Sequence, residues 1–129
     1  MSSGQQTELA LGRELTANVL AAACSSRTAF EAVTGKWASL VLLALFEGPH
    51  RFGELRRAVQ GVSDKMLAQT LHSLEREGMV ARADQSDAPH GGYWLTPLGA
   101  DIAGRLRGLA DTLQTAVPQL NAARARYDA

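Results

Sequence analysis

Between Gly48-Pro49 and Thr96-Pro97 the chain is punctuated at such short intervals that only small, tightly connected elements fit. Gly48-Pro49 ends the apolar pattern before it, because glycine leaves a helix easily and proline cannot continue one. Arg51-Phe52-Gly53 leads into 54–59, where Phe52, Leu55 and Val59 fall on one side of a helix. Gln60-Gly61-Val62 reads as a turn. Ser63 then stands in N-cap position, where its hydroxyl can accept from an orphan backbone N–H, and Asp64 suits the positive end of the helix dipole. The helix predicted from Asp64 to about Glu77 turns Leu67, Leu71 and Leu74 inward. Lys65, Gln69, His72 and Arg76 take the opposite face, and Gly78 closes the helix.

Met79–Arg82 and Tyr93–Thr96 follow as strand candidates. They are joined by a loop over 84–92 that contains Asp87, Pro89, Gly91 and Gly92. Helix, short turn, helix and then a hairpin is the layout of a winged helix-turn-helix, so the expected fold is mainly α with a small β-hairpin wing. Upstream, Gln5–Ala23 reads as a helix, with Leu11, Leu15, Val19 and Ala22 forming a stripe suited to a partner subunit. Cys24-Ser25-Ser26 is a break or a helix start. A second helix is expected from about Thr28 to Phe46, with Phe30 and Trp37 read as core. Downstream, Thr96 can cap a helix and Pro97 suits its first turn. Leu98, Ile102, Leu106, Leu109, Leu113, Val117 and Leu120 then form a narrow seam of the kind helices use against helices. Pro118 implies an end or kink near Ala116, with Arg124 and Arg126 in a frayed tail. The chain therefore divides into a helical extension over 1–23, a core over 24–96, and a C-terminal helix and tail over 97–129.

Composition excludes more than it selects. Thirteen Lys and Arg balance thirteen Asp and Glu, so any basic surface must come from the distribution of charge. One cysteine allows no disulfide within the chain, which fits a reducing compartment. The longest apolar run, 38–46 and broken by Ser39, is about half of the ~20 residues a membrane span needs. The N-terminus has no charged-then-apolar layout, so a cytoplasmic protein without membrane contact is expected. His50, His72, His90 and Cys24 show no metal-ligand spacing, and no phosphate loop or nucleophile elbow occurs. Neither a cofactor nor enzymatic chemistry is expected.

Several ordered pieces resemble the HxlR-type (DUF24) winged helix-turn-helix regulators of bacteria. They begin with Cys24 and, twelve residues on, Lys36-Trp37, followed by Leu43 to Phe46 with Glu47-Gly48-Pro49. They continue through Arg51-Phe52-Gly53-Glu54-Leu55-Arg56-Arg57, Val62-Ser63-Asp64-Lys65-Met66-Leu67 and Leu71-His72-Ser73-Leu74-Glu75-Arg76-Glu77-Gly78-Met79-Val80. Tyr93-Trp94-Leu95-Thr96-Pro97-Leu98-Gly99 completes the set, which spans about 24–113. The resemblance implies a homodimer held by N- and C-terminal helices, a palindromic double-stranded DNA operator, and repression by family habit. It also implies sensing of oxidants or electrophiles through a cysteine at the place of Cys24. The chain departs from the family pattern at Ser25, where proline is usual, at Thr34, where glycine is common, and at Thr70 and His72, where arginine is common. Its Pro89-His90-Gly91-Gly92 wing is one residue short.

The residues assigned to DNA follow from what each side chain can do. Ser63, Asp64, Lys65, Gln69, His72 and Arg76 stand where a recognition helix reads base edges; glutamine can pair with adenine and lysine with guanine. Lys36, Arg51 and Arg82 suit phosphates. From Lys36 to Arg82 seven basic residues face five acids, an excess that predicts a shallow salt dependence. The wing carries Asp84 and Asp87, and His90 is its one potential cation. The bland reading of all these positions is a solvated surface. For Cys24 a sensor needs exposure and a lowered pKa, with Arg27 and Lys36 as candidate neighbours, whereas the bland reading is an inert buried thiol. Two other readings stay open: a small-molecule effector at the dimer interface, and a winged helix used only for protein contact.

Overall fold

In a computed structural model, residues 19–83 and 91–129 are described. The expected helix over 5–23 and the assignments to Asp84, Asp87 and His90 lie outside them, apart from the last few residues of that helix. There, 20–23 are turns and bends, so a helix does not run on to Ala23. Six helices and one hairpin follow. Helix α1 spans Ser25–Thr34 and α2 spans Lys36–Phe46. The single helix expected over 28–46 is thus two. Gly35, with ψ 154, leaves helical geometry and sets the two at 74°. Glycine has the weakest hold on a helix among non-proline residues. The bend also corrects the reading of Phe30: it is 53% exposed, and only Val33 of α1 is buried. Trp37 is partly buried against the core, as expected.

Helix α3 spans Phe52–Ala58 and α4 spans Asp64–Arg76. The turn between them runs through Gly61 at φ +92, a left-handed conformation that favours glycine. Ser63 caps α4 by accepting from the Met66 N–H at 3.1 Å. Strands β1 (Val80–Arg82) and β2 (Tyr93–Leu95) pair antiparallel, with Val80 opposite Leu95 and Arg82 opposite Tyr93. His50 adds an isolated antiparallel bridge to β2 by exchanging backbone hydrogen bonds with Tyr93, at 3.0 and 2.8 Å.

Helix α5 spans Pro97–Thr115 and α6 spans Val117–Asp128. Thr96 caps α5 by accepting from the Gly99 N–H at 3.0 Å. Its own hydroxyl lies 2.6 Å from the Gly78 carbonyl oxygen, to which it donates. The break falls at Ala116, one residue before Val117-Pro118, as the proline requires. Arg124 and Arg126 lie within α6 and not in a frayed tail.

The core is built from α2, α3, α4, β1 and α5. Val41, Leu42, Leu55, Leu67, Leu71 and Leu74 are essentially inaccessible to solvent, each stabilising the fold by roughly 1.5–3 kcal/mol. Along the C-terminal seam only Ile102 and Leu106 pack on this core. Leu98, Leu109, Leu113 and Val117 are 51, 57, 48 and 41% exposed.

Candidate nucleic-acid interface

Three leucines fix which way α4 faces. At 100° per residue Leu67, Leu71 and Leu74 fall together on one side, and Lys65, Gln69, His72 and Arg76 fall within an arc of roughly 60° on the other. All four of the latter are exposed. Among the described residues, Lys65, Gln69 and His72 have no side-chain partner, so their polar ends are free for a ligand. Thr70 is turned back on its own helix, its hydroxyl donating to the Met66 carbonyl at 2.7 Å.

The charged neighbours are less free. Asp64 is held by Arg56 across the α3–α4 turn at 3.3 Å, a contact between two exposed side chains. Nothing local in the sequence marks Arg56 for the DNA face; the pair depends on the turn that brings 56 and 64 together. Arg76 contacts Glu77 at 3.3 Å, and Arg82 reaches from β1 to Glu75 on α4 at 3.7 Å. Arg82 therefore stands beside the C-terminal part of α4. Arg51 forms the N-cap of α3, where its backbone N–H donates to Glu54 Oε1 at 3.0 Å. Lys36 begins α2 with its ammonium 4.7 Å from the centre of the Trp37 ring. That ring comes against Gly61, so Lys36 flanks the same turn that leads into α4. Ser63, Asp64, Lys65, Gln69, His72 and Arg76 thus lie on α4 or at its cap, Arg82 pairs with Glu75 of α4, and Lys36 and Arg51 stand at the starts of α2 and α3. Trp94 is 40% exposed on the outer face of β2, and its neighbour Tyr93 packs inward.

Cys24 lies elsewhere, as the N-cap of α1, and is partly exposed. Its sulfur is 3.0 Å from the Ser26 hydroxyl. That hydrogen bond, helped by the Ser26 and Arg27 backbone N–H groups and opposed by desolvation, holds the thiol below its ordinary pKa. The expected cationic help is not the cause. The Arg27 guanidinium contacts Glu31 at 2.7 Å and the Leu20 carbonyl at 2.9 Å, and Lys36 lies over Trp37.

No group of three or more His, Cys, Asp or Glu suited to a metal occurs among the described residues. No single described helix is long and apolar enough to cross a membrane.

Comparison with known proteins agrees with this architecture. A family model of HxlR-like helix-turn-helix proteins matches residues 32–120. The chain is 42% identical over 120 residues to YtfH of Escherichia coli K12, an uncharacterised HTH-type transcriptional regulator, covering 92% of this chain and 95% of that one. A solved structure of YtfH from Salmonella typhimurium, described as a transcriptional regulator, superposes with a TM-score of 0.74 at 41% identity, covering 83% of this chain and 96% of that one. Diamide-treated YodB of Bacillus subtilis superposes with a TM-score of 0.57 at 26% identity, over 73% of this chain and 95% of that one.

Proposed function

The chain belongs to the HxlR-like helix-turn-helix family, and from that premise we propose that it is a homodimeric, sequence-specific DNA-binding regulator that represses transcription. The observation that carries this reading is the exposed arc of α4, polar and basic, backed by three fully buried leucines. A helix so backed can enter a major groove without disturbing the core. Gln69 and Lys65 then meet base edges, with His72 beside them and Ser63 and Asp64 at the leading turn. Lys36, Arg51 and Arg82 take phosphates, and Arg76 and Arg82 exchange Glu77 and Glu75 for them. Two copies read half-sites ~34–36 Å apart, one helical turn.

Fluorescence anisotropy on labelled DNA tiled from the region upstream of its own gene, at two salt concentrations, tests this. A saturable fragment that weakens with salt is the expected result. Gln69→Ala then weakens that fragment by about 1–3 kcal/mol and relaxes preference at one base pair per half-site. Arg82→Ala weakens all sequences alike and lowers the salt slope by about one per subunit. If no upstream fragment binds better than random DNA, two readings are left: an operator elsewhere, or a winged-helix module that contacts only protein.

The signal in this reading is an oxidant or electrophile acting at Cys24. The support is its partial exposure, its lowered pKa and the kinship with YodB, which was treated with diamide, a thiol oxidant. One cysteine per chain limits the reversible oxidation products to a sulfenic acid, a mixed disulfide or a Cys24 bridge between subunits, and an electrophile leaves a thioether adduct. Because hydrogen bonds to the thiolate lower the pKa, alkylation of Cys24 by iodoacetamide is expected to reach half its maximal rate at a lower pH than a free cysteine. Ser26→Ala moves that midpoint upward. An unmoved midpoint rules out the hydroxyl as the cause. If Cys24→Ser leaves induction intact, a small-molecule effector replaces the oxidant.

A further inference from the structure

A cleft of about 730 Å³ opens between α2, the end of α3 and α5, away from the exposed arc of α4 and from Cys24. Its volume is that of an ordinary small-molecule site, roughly 300–1,000 Å³. Leu40, Leu43, Ala44 and Val59 give it an apolar floor. The rim is ionic. Arg107 reaches Glu47 at 3.6 Å and Asp111 at 3.2 Å, so one guanidinium serves two carboxylates and a negative charge is left over. The second oxygen of each carboxylate has no partner among the described residues. Gln60 and Gln114 add amide oxygens. His50 donates from Nδ1 to the Gly48 carbonyl at 2.7 Å, which leaves Nε2 of the neutral ring as an acceptor.

Two features bear on what an occupant of this open cleft would do. By helical spacing Arg107, Asp111 and Gln114 stand roughly half a turn around α5 from Leu98 and Leu109. A partner covering that leucine seam therefore leaves the cleft open. Its walls also come from the link between α2 and α3, the turn that leads from α3 into α4, and α5.

We propose that this cleft binds a small lipophilic organic cation, its apolar body on the leucine floor and its charge beside Glu47 and Asp111. An occupant there presses on α2 and α5, which pack on each other, and so changes how α4 is presented. The effect on DNA rests on the regulator reading above; the binding does not, and is measured on the free protein.

Isothermal titration with tetraphenylphosphonium and with tetraphenylborate, ions of like shape and opposite charge, separates charge recognition from greasiness. The cation is expected to bind once per subunit and the anion not to saturate. Glu47→Gln with Asp111→Asn, both at exposed positions, weakens the cation by about ten-fold, while Ala58→Trp on the exposed wall blocks it. Equal uptake of both ions, unchanged uptake by the double variant, or no saturable uptake by the parent protein overturns the proposal. A thermal melt of each variant confirms that it is folded.

Discussion

Gly99→Ala is expected to destabilise the chain by about 3 kcal/mol or more, a fall in Tm on the order of 10 °C. The cause is backbone against backbone. A Cβ at Gly99 overlaps the Met79 carbonyl oxygen and comes within 2.8 Å of its carbon and 3.2 Å of the Met79 Cα. The strand cannot simply retreat. The Met79 carbonyl accepts from the Thr96 N–H at 3.0 Å and from its hydroxyl at 3.2 Å, and the same hydroxyl lies 2.6 Å from the Gly78 oxygen. Moving α5 outward breaks these bonds and opens the core beside Ala103. Gly108→Ala on the same helix is the matched control. Nothing lies within 4 Å of its added carbon, so a gain of up to about 1 kcal/mol is expected. Urea melts of the two variants beside the parent measure both. A Gly99→Ala chain that melts with the parent means that α5 does not pack this closely on the strand.

Leu109→Glu with Leu113→Glu is expected to turn the proposed dimer into a monomer and to weaken binding to its proposed operator on the order of 10³-fold. The loss is that of linkage: two half-sites held by one dimer bind as a single event, and separate subunits do not. Both leucines are about half exposed in the single chain and lie outside the buried core, so their replacement leaves each subunit folded. At a helix–helix seam a carboxylate loses water without gaining a partner, and that cost separates the copies. Light scattering after gel filtration reads the oligomeric state, and anisotropy reads the operator. A double variant that stays dimeric places the interface elsewhere in the chain.

The central motif was legible because each of its boundaries has a local chemical cause. Ser63 and Thr96 announce helix starts through hydroxyls that accept from residues three positions on, and both bonds are present. The three inward leucines of α4 follow from period alone. Phe30 shows where period fails. The apolar spacing runs unbroken through Gly35, so it cannot reveal the bend that carries Phe30 out of the core. Arg124 and Arg126 look like a polar tail because α6 buries nothing and so has no apolar stripe to find. The pairs Arg56–Asp64 and Arg82–Glu75 join different elements, and their formation depends on tertiary placement. Ser26 stands only two residues from Cys24, so its hydroxyl beside the sulfur is a local feature, unlike a contact between elements. The cleft beneath Arg107 draws on three separate stretches of chain and leaves no mark in any one of them.

The backbone pair between His50 and Tyr93 has a mechanical meaning. Together with the Thr96 bonds to Gly78 and Met79, it closes the stretch from the end of α2 to the start of α5 into a stapled ring. A ring so fastened does not loosen piecemeal. A push on α5 or on α2 carries α3, α4 and the paired strands along as one tool head. In a dimer the quantity left to vary is then the span between two such heads, and an operator with fixed spacing acts as the gauge that accepts or rejects it.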